Sequence, residues 1–235
     1  MTRISLFIGT IAALPDSGRP TGMFKHPVRA ALHLGPEGFS GDEQADRRVH
    51  GGPEKAVHLY PAAHYARLAT KFPEAAAQLQ PGSLGENISS PTLDETRVRV
   101  GDIFQLGEAR LQVCQPRSPC WKIDDRFGCA GMAAYIAEQR LTGWYFRVLQ
   151  PGTVAPEASL DLVEAAADAP TLAAAMALWA THRPAPAALR QLAATPGIAA
   201  GWQRKIIDRL AWLEKQGGGA SPPPPAFHVK PEAGT

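Results

Sequence analysis

The chain has 235 residues, of which 45% are hydrophobic and 20% are charged, and its formal net charge is +2. This length accommodates one large domain, or one domain with a small appendix. The Lys and Arg residues are scattered and lack the basic excess of a nucleic-acid-binding protein, so neither nucleic acid nor a membrane surface is expected as a partner.

The apolar runs and the cysteines predict a cytoplasmic protein. The apolar stretch within residues 1–9 is too short for a signal peptide, and no run approaches the ~20 residues of a transmembrane helix. The three cysteines, Cys114, Cys120 and Cys129, contain no Cys-x-x-Cys pair. This spacing argues against a disulfide framework or a structural zinc site and fits a reducing compartment.

Up to about residue 150 the sequence alternates short apolar runs with Gly and Pro turns, which is typical of β-structure. The predicted strands are Ile4–Ile11, Val28–Leu34, Glu86–Ile88, Asp102–Leu106, Ala109–Gln115 and Trp144–Leu149. The predicted helices are Pro61–Phe72, Trp121–Arg126 and Gly131–Arg140. Gly107-Glu108 predicts a hairpin turn. The pattern as a whole predicts an α+β fold, a β-barrel with inserted helices.

From about Ser159 the composition becomes rich in alanine. The stretches Thr171–Ala180, Ala187–Ala194 and Ile198–Lys215 predict a small three-helix module with Met176, Trp179 and Trp202 in its core. The Gly- and Pro-rich tail cannot bury enough apolar surface to become ordered and is predicted to be flexible. The predicted boundaries are 1–157 for the barrel, 158–216 for the module and 217–235 for the tail.

Two segments combine glycines with polar residues. In residues 46–58, Gly51 and Gly52 can form a concave nest of N–H groups for an anion, with Arg48, His50 and Lys55 around it. The alternative is a plain Gly-Gly turn with solvated basic residues, and the spacing is not that of a Walker A loop. In residues 81–88, two glycines bracket a turn before a strand, where the amide of Asn87 could face a cleft.

The third segment is Gln115-Pro116-Arg117-Ser118-Pro119-Cys120-Trp121-Lys122, in which a strand runs into a rigid turn and Cys120 precedes a predicted helix. A helix N-terminus, Arg117 and Lys122 all favour the thiolate form, which acts as a nucleophile or a soft-metal ligand. Cys114 lies among apolar neighbours within a strand, and Cys129 follows a glycine in a turn. Cys120 is therefore the candidate functional thiol, with an inert cysteine as the alternative.

These segments, in this order, resemble the MOSC domain family, and within it the YiiM-like branch. The matching motifs are His50-Gly51-Gly52-Pro53-Glu54-Lys55-Ala56-Val57, Tyr60-Pro61, His64-Tyr65, Gly82-Ser83-Leu84-Gly85-Glu86-Asn87, Gly101-Asp102 and Gln115–Cys120. The resemblance covers most of residues 1–155, and a C-terminal helical module is also found in that branch. It implies a β-barrel that binds a pterin-based molybdenum cofactor (molybdopterin).

By the same resemblance, Cys120 coordinates molybdenum as a thiolate, which suits a metal already held by dithiolene sulfurs. His50, Lys55, Asn87 and Arg117 match polar motif positions and are the candidates for holding the pterin and its phosphate. The implied reaction is reduction of N-hydroxylated compounds, including hydroxylaminopurine-type base analogues, from N–OH to N–H with release of water. Asp124 or Asp125 is a candidate proton donor, with a solvated first-turn carboxylate as the alternative.

The implied partners are a small N-hydroxylated substrate and a separate flavin or iron–sulfur reductase, because the chain has neither a flavin fingerprint nor a cysteine set for a cluster. A homodimer is a further expectation. Two alternatives keep the fold. One is sulfur transfer through a persulfide on Cys120, which the lack of a preceding pyridoxal-phosphate domain disfavours, and the other is a non-catalytic carrier of the cofactor.

Overall fold

The computed structural model describes residues 2–215, apart from the side chains of residues 48 and 49, so the predicted flexible tail at 217–235 lies outside the described residues. The strands are β1 Thr2–Arg3, β2 Ser5–Ile8, β3 Ala12–Ala13, β4 Pro20–Thr21, β5 His26–Pro27, β6 Leu32–Gly35, β7 Gly38–Phe39, β8 Val57–Pro61, β9 Ile88–Ser90, β10 Ile103–Leu106, β11 Ala109–Pro116, β12 Trp144–Gln150, β13 Gly152–Val154 and β14 Ser159–Glu164. The helices are α1 Arg47–His50, α2 Ala63–Lys71, α3 Lys122–Phe127, α4 Met132–Glu138, α5 Leu172–Ala180, α6 Pro186–Ala193 and α7 Ala200–Lys215, with 3-10 turns at Pro53–Lys55 and Pro73–Gln78.

The main sheet curls into a barrel. Its strand order, within the described residues, is β1-β14-β10-β11-β12-β8-β9-β2-β5. Neighbours are antiparallel except β8 and β9, which run parallel. Thr2 pairs with Leu160 at one end of this order, and Leu6 pairs with Ile88 towards the other. The segment 2–8 therefore joins the two ends of the curled sheet, and the α+β barrel prediction is confirmed.

The barrel core follows from the alternation along β10 and β11. Ala109, Leu111 and Val113 are fully buried while the residues between them are half-buried, as the two-residue period of a strand requires. They pack with Phe104, Trp144 and other apolar side chains of the sheet. The predicted hairpin turn at Gly107-Glu108 is confirmed, because Leu106 pairs with Ala109 across it.

A second apolar cluster covers one side of the barrel. It joins α2, α3 and α4 to strand β8, and its fully buried members include Tyr60, Leu68, Ile123, Met132 and Ile136. The segment that carries Cys120 connects β11, in the barrel core, to α3, in this cluster. Both ends of that segment are therefore held by apolar packing.

The C-terminal helices are confirmed as predicted. Thr171 caps α5 by accepting a hydrogen bond from Ala174 N–H at 3.1 Å. Met176, Trp179 and Trp202 are all buried, and Trp179 and Trp202 pack within the barrel core. The main sheet includes β14, so it extends a few residues beyond the predicted boundary at 157, and the division into domains stays a prediction.

Several predicted elements differ from the structure. β8 was not predicted, because Val57–Pro61 is buried on both faces and shows no alternation. The predicted strand Val28–Leu34 is wrong over its first half, where residues 29–31 are exposed and unpaired, and pairing resumes at Leu32. The helix after Cys120 begins at Lys122, with Trp121 as its cap residue. Within residues 2–215, no helix combines the length and hydropathy needed to cross a membrane.

Candidate functional site

One cleft gathers the polar segments singled out in the sequence. It is lined by residues of the loops 21–25, 42–45 and 84–87, by Arg117, Cys120 and Lys122, and by His50, Lys55, His58 and Tyr145. Its enclosed volume is about 80 Å³, enough for a phosphate-sized group or several waters. The cleft opens to solvent, so a larger ligand would extend beyond the enclosed part.

All five residues predicted for the site, His50, Lys55, Asn87, Arg117 and Cys120, line this cleft. They come from the end of α1, the 3-10 turn, the start of β9 and the segment after β11. Elements far apart in sequence thus converge on one place. The side chain of Arg48, the remaining basic candidate, lies outside what the structure describes.

The three cysteines differ in accessibility. Cys120 is half-buried at the cleft, whereas Cys114 and Cys129 are buried. Burial raises the pKa of the Cys114 thiol to about 12. The Cys114 thiol also lies 3.1 Å from the backbone oxygen of Glu54, to which it donates. Of the three thiols, Cys120 alone lines the cleft.

We therefore expect one fast-reacting thiol in the native protein. A thiolate must be reached by the reagent to react, and the two buried cysteines are shielded. When the native wild type is treated with an aromatic disulfide reagent, one equivalent of the coloured thiolate per protein chain should be released in a fast phase. The Cys120→Ala variant should lack this fast phase. Three equivalents should appear after unfolding in denaturant, and a fast phase that persists in Cys120→Ala would contradict the assignment.

Arg117 places a buried cation in the same cleft as the Cys120 thiol. The residue is 6% exposed, and its backbone N–H donates to the Gly143 carbonyl at 3.1 Å. Its Nη2 makes a long contact of 3.4 Å to the Leu84 carbonyl, and Nη1 has no hydrogen-bond partner among residues 2–215. A buried guanidinium with an unused donor at a cleft is suited to binding an anion.

The cleft carries an excess of positive charge. Lys25, Lys55, Arg117 and Lys122 line it, against the carboxylates of Asp42 and Glu43. Lys122 Nζ donates to the Pro20 carbonyl at 2.8 Å, which fixes its position. The electrostatics favour a negatively charged ligand.

His50 is neutral in this environment. Burial first, and then the positive charges of Arg117, Lys122 and Lys55, lower its pKa from 6.5 to about 4. A neutral imidazole offers one donor and one acceptor to a ligand. His50 lines the cleft, and there it acts as a hydrogen-bonding group rather than as a cation.

The lowered pKa of His50 predicts a loss of stability in acid. Between pH 6.5 and pH 4 the unfolded chain binds a proton at His50 while the folded chain does not, so stability falls as the pH drops through this window. The loss should be on the order of 2–3 kcal/mol. Urea unfolding at pH 7 and pH 4.5 should show a smaller pH effect for His50→Gln than for the wild type. Inorganic phosphate should reduce the wild-type effect, and equal pH profiles for the two proteins would contradict the prediction.

Asn87 is engaged within the protein. Its Nδ2 donates to the Phe7 carbonyl at 3.2 Å and to Asp42 Oδ2 at 2.9 Å, while its Oδ1 accepts from the His58 N–H at 3.1 Å. Both amide hydrogens are thereby used. Asn87 lines the cleft, and these contacts suit it to holding neighbouring groups in place more than to binding the pterin directly.

Lys25 and Asp42 form a buried ion pair that sequence reasoning missed. Lys25 Nζ lies 2.5 and 2.7 Å from the two carboxylate oxygens of Asp42, which also accepts from Gly9 N–H at 2.9 Å. Burial is the largest influence on the pKa of Lys25 and lowers it, against the opposing effect of Asp42. Neither residue lies in a recognisable motif, so no sequence signal distinguished them from surface charges.

His58 and Tyr145 also line the cleft, and sequence reasoning missed both. They are paired across β8 and β12, with their rings 5.3 Å apart. Burial, followed by the charges of Arg117 and Lys25, lowers the pKa of His58 well below 6.5, so its imidazole is neutral. Recognising β8 as a strand would have shown that His58 faces the same way as Tyr60.

Asp124 and Asp125 are occupied elsewhere. Asp124 accepts from Gly131 and Ala133 N–H at 2.9 and 2.7 Å and so holds the start of α4. Asp125 accepts from the backbone N–H groups of Asp16 and Ser17. Neither lines the cleft, and a proton-donating role for either carboxylate finds no support in these contacts.

The two glycine-containing motifs form turns in the backbone around the cleft. Gly52 has a φ of +91° directly before the 3-10 turn, and neither it nor Gly51 lines the cleft, which favours the turn interpretation over an anion nest. In the second motif, buried Glu86 accepts from Tyr65 Oη at 2.5 Å and from Gly82 N–H at 2.6 Å. This carboxylate fixes the turn whose Leu84 carbonyl faces Arg117.

Within residues 2–215, no group of three or more His, Cys, Asp or Glu side chains is arranged to hold a metal ion. A metal already ligated by an organic cofactor needs fewer protein ligands, and one thiolate can complete its coordination. The donor set of the cleft, one thiol amid cations and neutral imidazoles, fits an anionic, sulfur-ligated metal group.

Comparison with known proteins gives consistent matches. The MOSC domain profile matches residues 46–161. The protein YiiM of Escherichia coli is 37% identical over 207 residues, which are 88% of this chain and 91% of YiiM. The uncharacterized protein YflK of Bacillus subtilis is 42% identical over 162 residues, which are 68% of this chain and 72% of YflK. A protein named reductase from Gibberella moniliformis is 34% identical over 61% of this chain, and the match spans 26% of that protein.

Solved structures show the same relationship. The crystal structure of YiiM from Escherichia coli superposes with a TM-score of 0.76 at 31% identity, covering 90% of this chain and 94% of that one. YiiM from Geobacillus stearothermophilus superposes with a TM-score of 0.73 at 30% identity, covering 88% and 97%. The similarity therefore includes the C-terminal helices as well as the barrel.

Proposed function

The chain belongs to the MOSC domain family, in the branch that contains YiiM, and from its cleft we propose that it is a molybdenum-cofactor-dependent reductase of N-hydroxylated compounds. The observation that carries this proposal is the meeting of one accessible thiol with a buried, partly unpaired guanidinium in a cationic cleft. A relative named reductase supports the same class of chemistry.

Different residues of the cleft would bind different parts of the cofactor. Cys120 would supply a thiolate ligand to molybdenum, and Arg117 with Lys55 and Lys122 would hold the phosphate. His50 would add a hydrogen bond from a neutral ring. When bound, the cofactor supplies two-electron redox chemistry to the site.

The reaction consumes two electrons and two protons, turning R₂N–OH into R₂N–H and water. Lys25 is the acid we assign to the departing oxygen, because burial lowers its pKa and makes its Nζ a better proton donor than an exposed lysine. Asp42 holds this ammonium in place, and Asn87 in turn donates a hydrogen bond to Asp42. The substrate class includes hydroxylaminopurine-type base analogues.

The proposed reaction also needs a source of two electrons. Three cysteines are too few for a Cys₄ iron–sulfur cluster in this chain. We propose a separate flavin or iron–sulfur reductase as the donor. Sulfur transfer from a persulfide on Cys120 and cofactor carriage are the competing functions.

The deciding experiment is metal and pterin analysis of protein expressed in a cofactor-competent host, followed by an assay with a hydroxylamine and an artificial electron donor. Molybdenum and pterin near one equivalent, with turnover, would support the reductase. Metal-free protein carrying a labile sulfur on Cys120 would replace it with sulfur transfer. Bound cofactor without turnover on any N-hydroxylated substrate would favour a carrier.

A further inference from the structure

The side chain of Glu54, one residue before Lys55, contacts the start of the C-terminal helix α7. Its Oε1 accepts from the Ala200 N–H at 2.8 Å, and its Oε2 lies 3.5 Å from the Gly201 nitrogen. These are the first residues of α7, which follows Ala199. Ala199 has no side chain able to cap a helix, so a carboxylate from a distant segment supplies the cap.

Arg147 holds the same carboxylate from the barrel side. Its Nη2 lies 2.9 Å from Glu54 Oε1 and also donates to the Ile198 carbonyl at 3.3 Å, while its Nη1 donates to Gln112 at 3.0 Å. Glu54 is thus held between β12 and the start of α7. Both partners of this ion pair are only partly exposed, at 35% for Glu54 and 23% for Arg147.

The backbone of Glu54 is fixed as well. Its carbonyl accepts from Gln115 Nε2 at 3.0 Å and from the Cys114 thiol at 3.1 Å. The Cys114 carbonyl in turn accepts from the Ala199 N–H at 2.9 Å. Strand β11, the 3-10 turn and the start of α7 therefore form one hydrogen-bonded unit.

Lys55, which lines the cleft, is the next residue along the chain. Burial lowers its pKa, and the nearby charge of Lys205 on α7 lowers it further. Glu54, the residue before Lys55, is anchored on three elements, β11, β12 and the start of α7. The backbone from which the Lys55 side chain projects is therefore fixed in place.

We propose that Glu54 is a positioning residue, which fixes Lys55 in the cleft by tying the 3-10 turn to Arg147 and to the start of α7, so that the three-helix module is part of the anion site. The proposal rests on the proposed function only in that Lys55 binds an anionic group. It gives the C-terminal helices a role at the cleft, although they contribute no residue to its lining.

The test uses full-length protein made without molybdenum and inorganic phosphate as the probe, titrated by calorimetry. Removing a carboxylate beside Lys55 should, by charge alone, strengthen phosphate binding. If Glu54 acts by positioning, Glu54→Ala should instead weaken it by about tenfold, as expected for one lost charged contact. Glu54→Gln, which keeps an acceptor oxygen for Ala200 and Arg147, should recover most of the affinity.

A double-mutant cycle distinguishes an effect of Glu54 that acts through Lys55 from a general loss of structure around the cleft. Lys55→Ala should weaken phosphate binding, and adding Glu54→Ala to it should cause no further loss, because Glu54 acts through Lys55. Thr171→Ala is the matched control, since it removes the cap of α5 in the same module and should leave phosphate affinity unchanged.

Several results would overturn the proposal. These are equal or tighter phosphate binding by Glu54→Ala, additive losses in the cycle, a loss in Thr171→Ala as large as that in Glu54→Ala, and no phosphate binding by the wild type. Molybdenum and pterin analysis tests the proposed function by a different readout. A phosphate result in favour of Glu54 would therefore stand even if no cofactor were found.

Discussion

Replacing Cys120 by Ala should lower the turnover rate of N-hydroxyl reduction by more than roughly 100-fold. A loss of about that size is the upper range when only a hydrogen-bond partner of a metal ligand is removed, and here the ligand itself is lost. The reason is that no second thiol can replace it, because Cys114 and Cys129 are buried away from the cleft. The measurement is steady-state turnover of a hydroxylamine with an artificial donor, normalised to folded protein.

Cys129→Ala is the matched control for this variant. Cys129 is 3% exposed and packs in the second apolar cluster, so its loss should cost about 1 kcal/mol of stability through a small cavity. Its turnover should equal that of the wild type. Turnover in Cys120→Ala within a few-fold of the wild type would remove the thiolate from the mechanism.

The second large effect is expected at Asp42. Asp42→Ala should lower the free energy of unfolding by about 3–5 kcal/mol, because it leaves the buried ammonium of Lys25 without its counter-charge. The side chains of Lys25 and Asp42 are 5% and 1% exposed, so water cannot replace the lost partner. Urea unfolding at pH 7 measures the change.

The pH dependence gives this prediction a sign. Burial lowers the pKa of Lys25, and the charge of Asp42 partly opposes this effect. Removing that charge in Asp42→Ala should therefore lower the pKa of Lys25 further. The penalty applies at pH values below the lowered pKa, where Lys25 is charged, and is relieved as the pH rises towards 10.5 and the lysine becomes neutral. Asp42→Ala should therefore regain stability relative to the wild type at alkaline pH.

An exposed ion pair supplies the contrast. Arg190 and Glu214 pair on the surface between α6 and α7, at 59% and 47% side-chain exposure. Glu214→Ala should cost less than about 1 kcal/mol, because solvent screens such pairs. A cost for Asp42→Ala no larger than this would show that water reaches Lys25 in the folded protein.

The sequence predicted those features of the fold that have a local signal. β10, β11 and the hairpin between them show alternation and a Gly turn, and α5 has Thr171 as a cap, so each was recognised. β8 has no such signal, since Val57–Pro61 is buried on both faces. Its identity as a strand depends on β9 and β12 on either side, which a local pattern does not reveal.

The candidate site divides in the same way. Cys120, Arg117, Lys55 and His50 stand in dense polar motifs and were predicted from them, and the structure brings all four to one cleft. Lys25 and Asp42 lie in ordinary loops, and their pairing arises only when the two loops meet. The contacts of Asn87 also show that belonging to a motif does not distinguish a ligand-binding group from one that holds its neighbours.

The way the barrel closes has a consequence for how the protein is made. Thr2 and Arg3 in β1 pair with Leu160 and Ser159 in β14, from which they are separated by most of the described chain. During synthesis the first strand leaves the ribosome long before its partner exists, and pairing over such a separation is slow because the loop entropy is lost before the contacts form. The edge strands of the partly formed sheet remain unpaired until β14 has been synthesised. We expect chaperones that shield exposed strand edges to act during that interval.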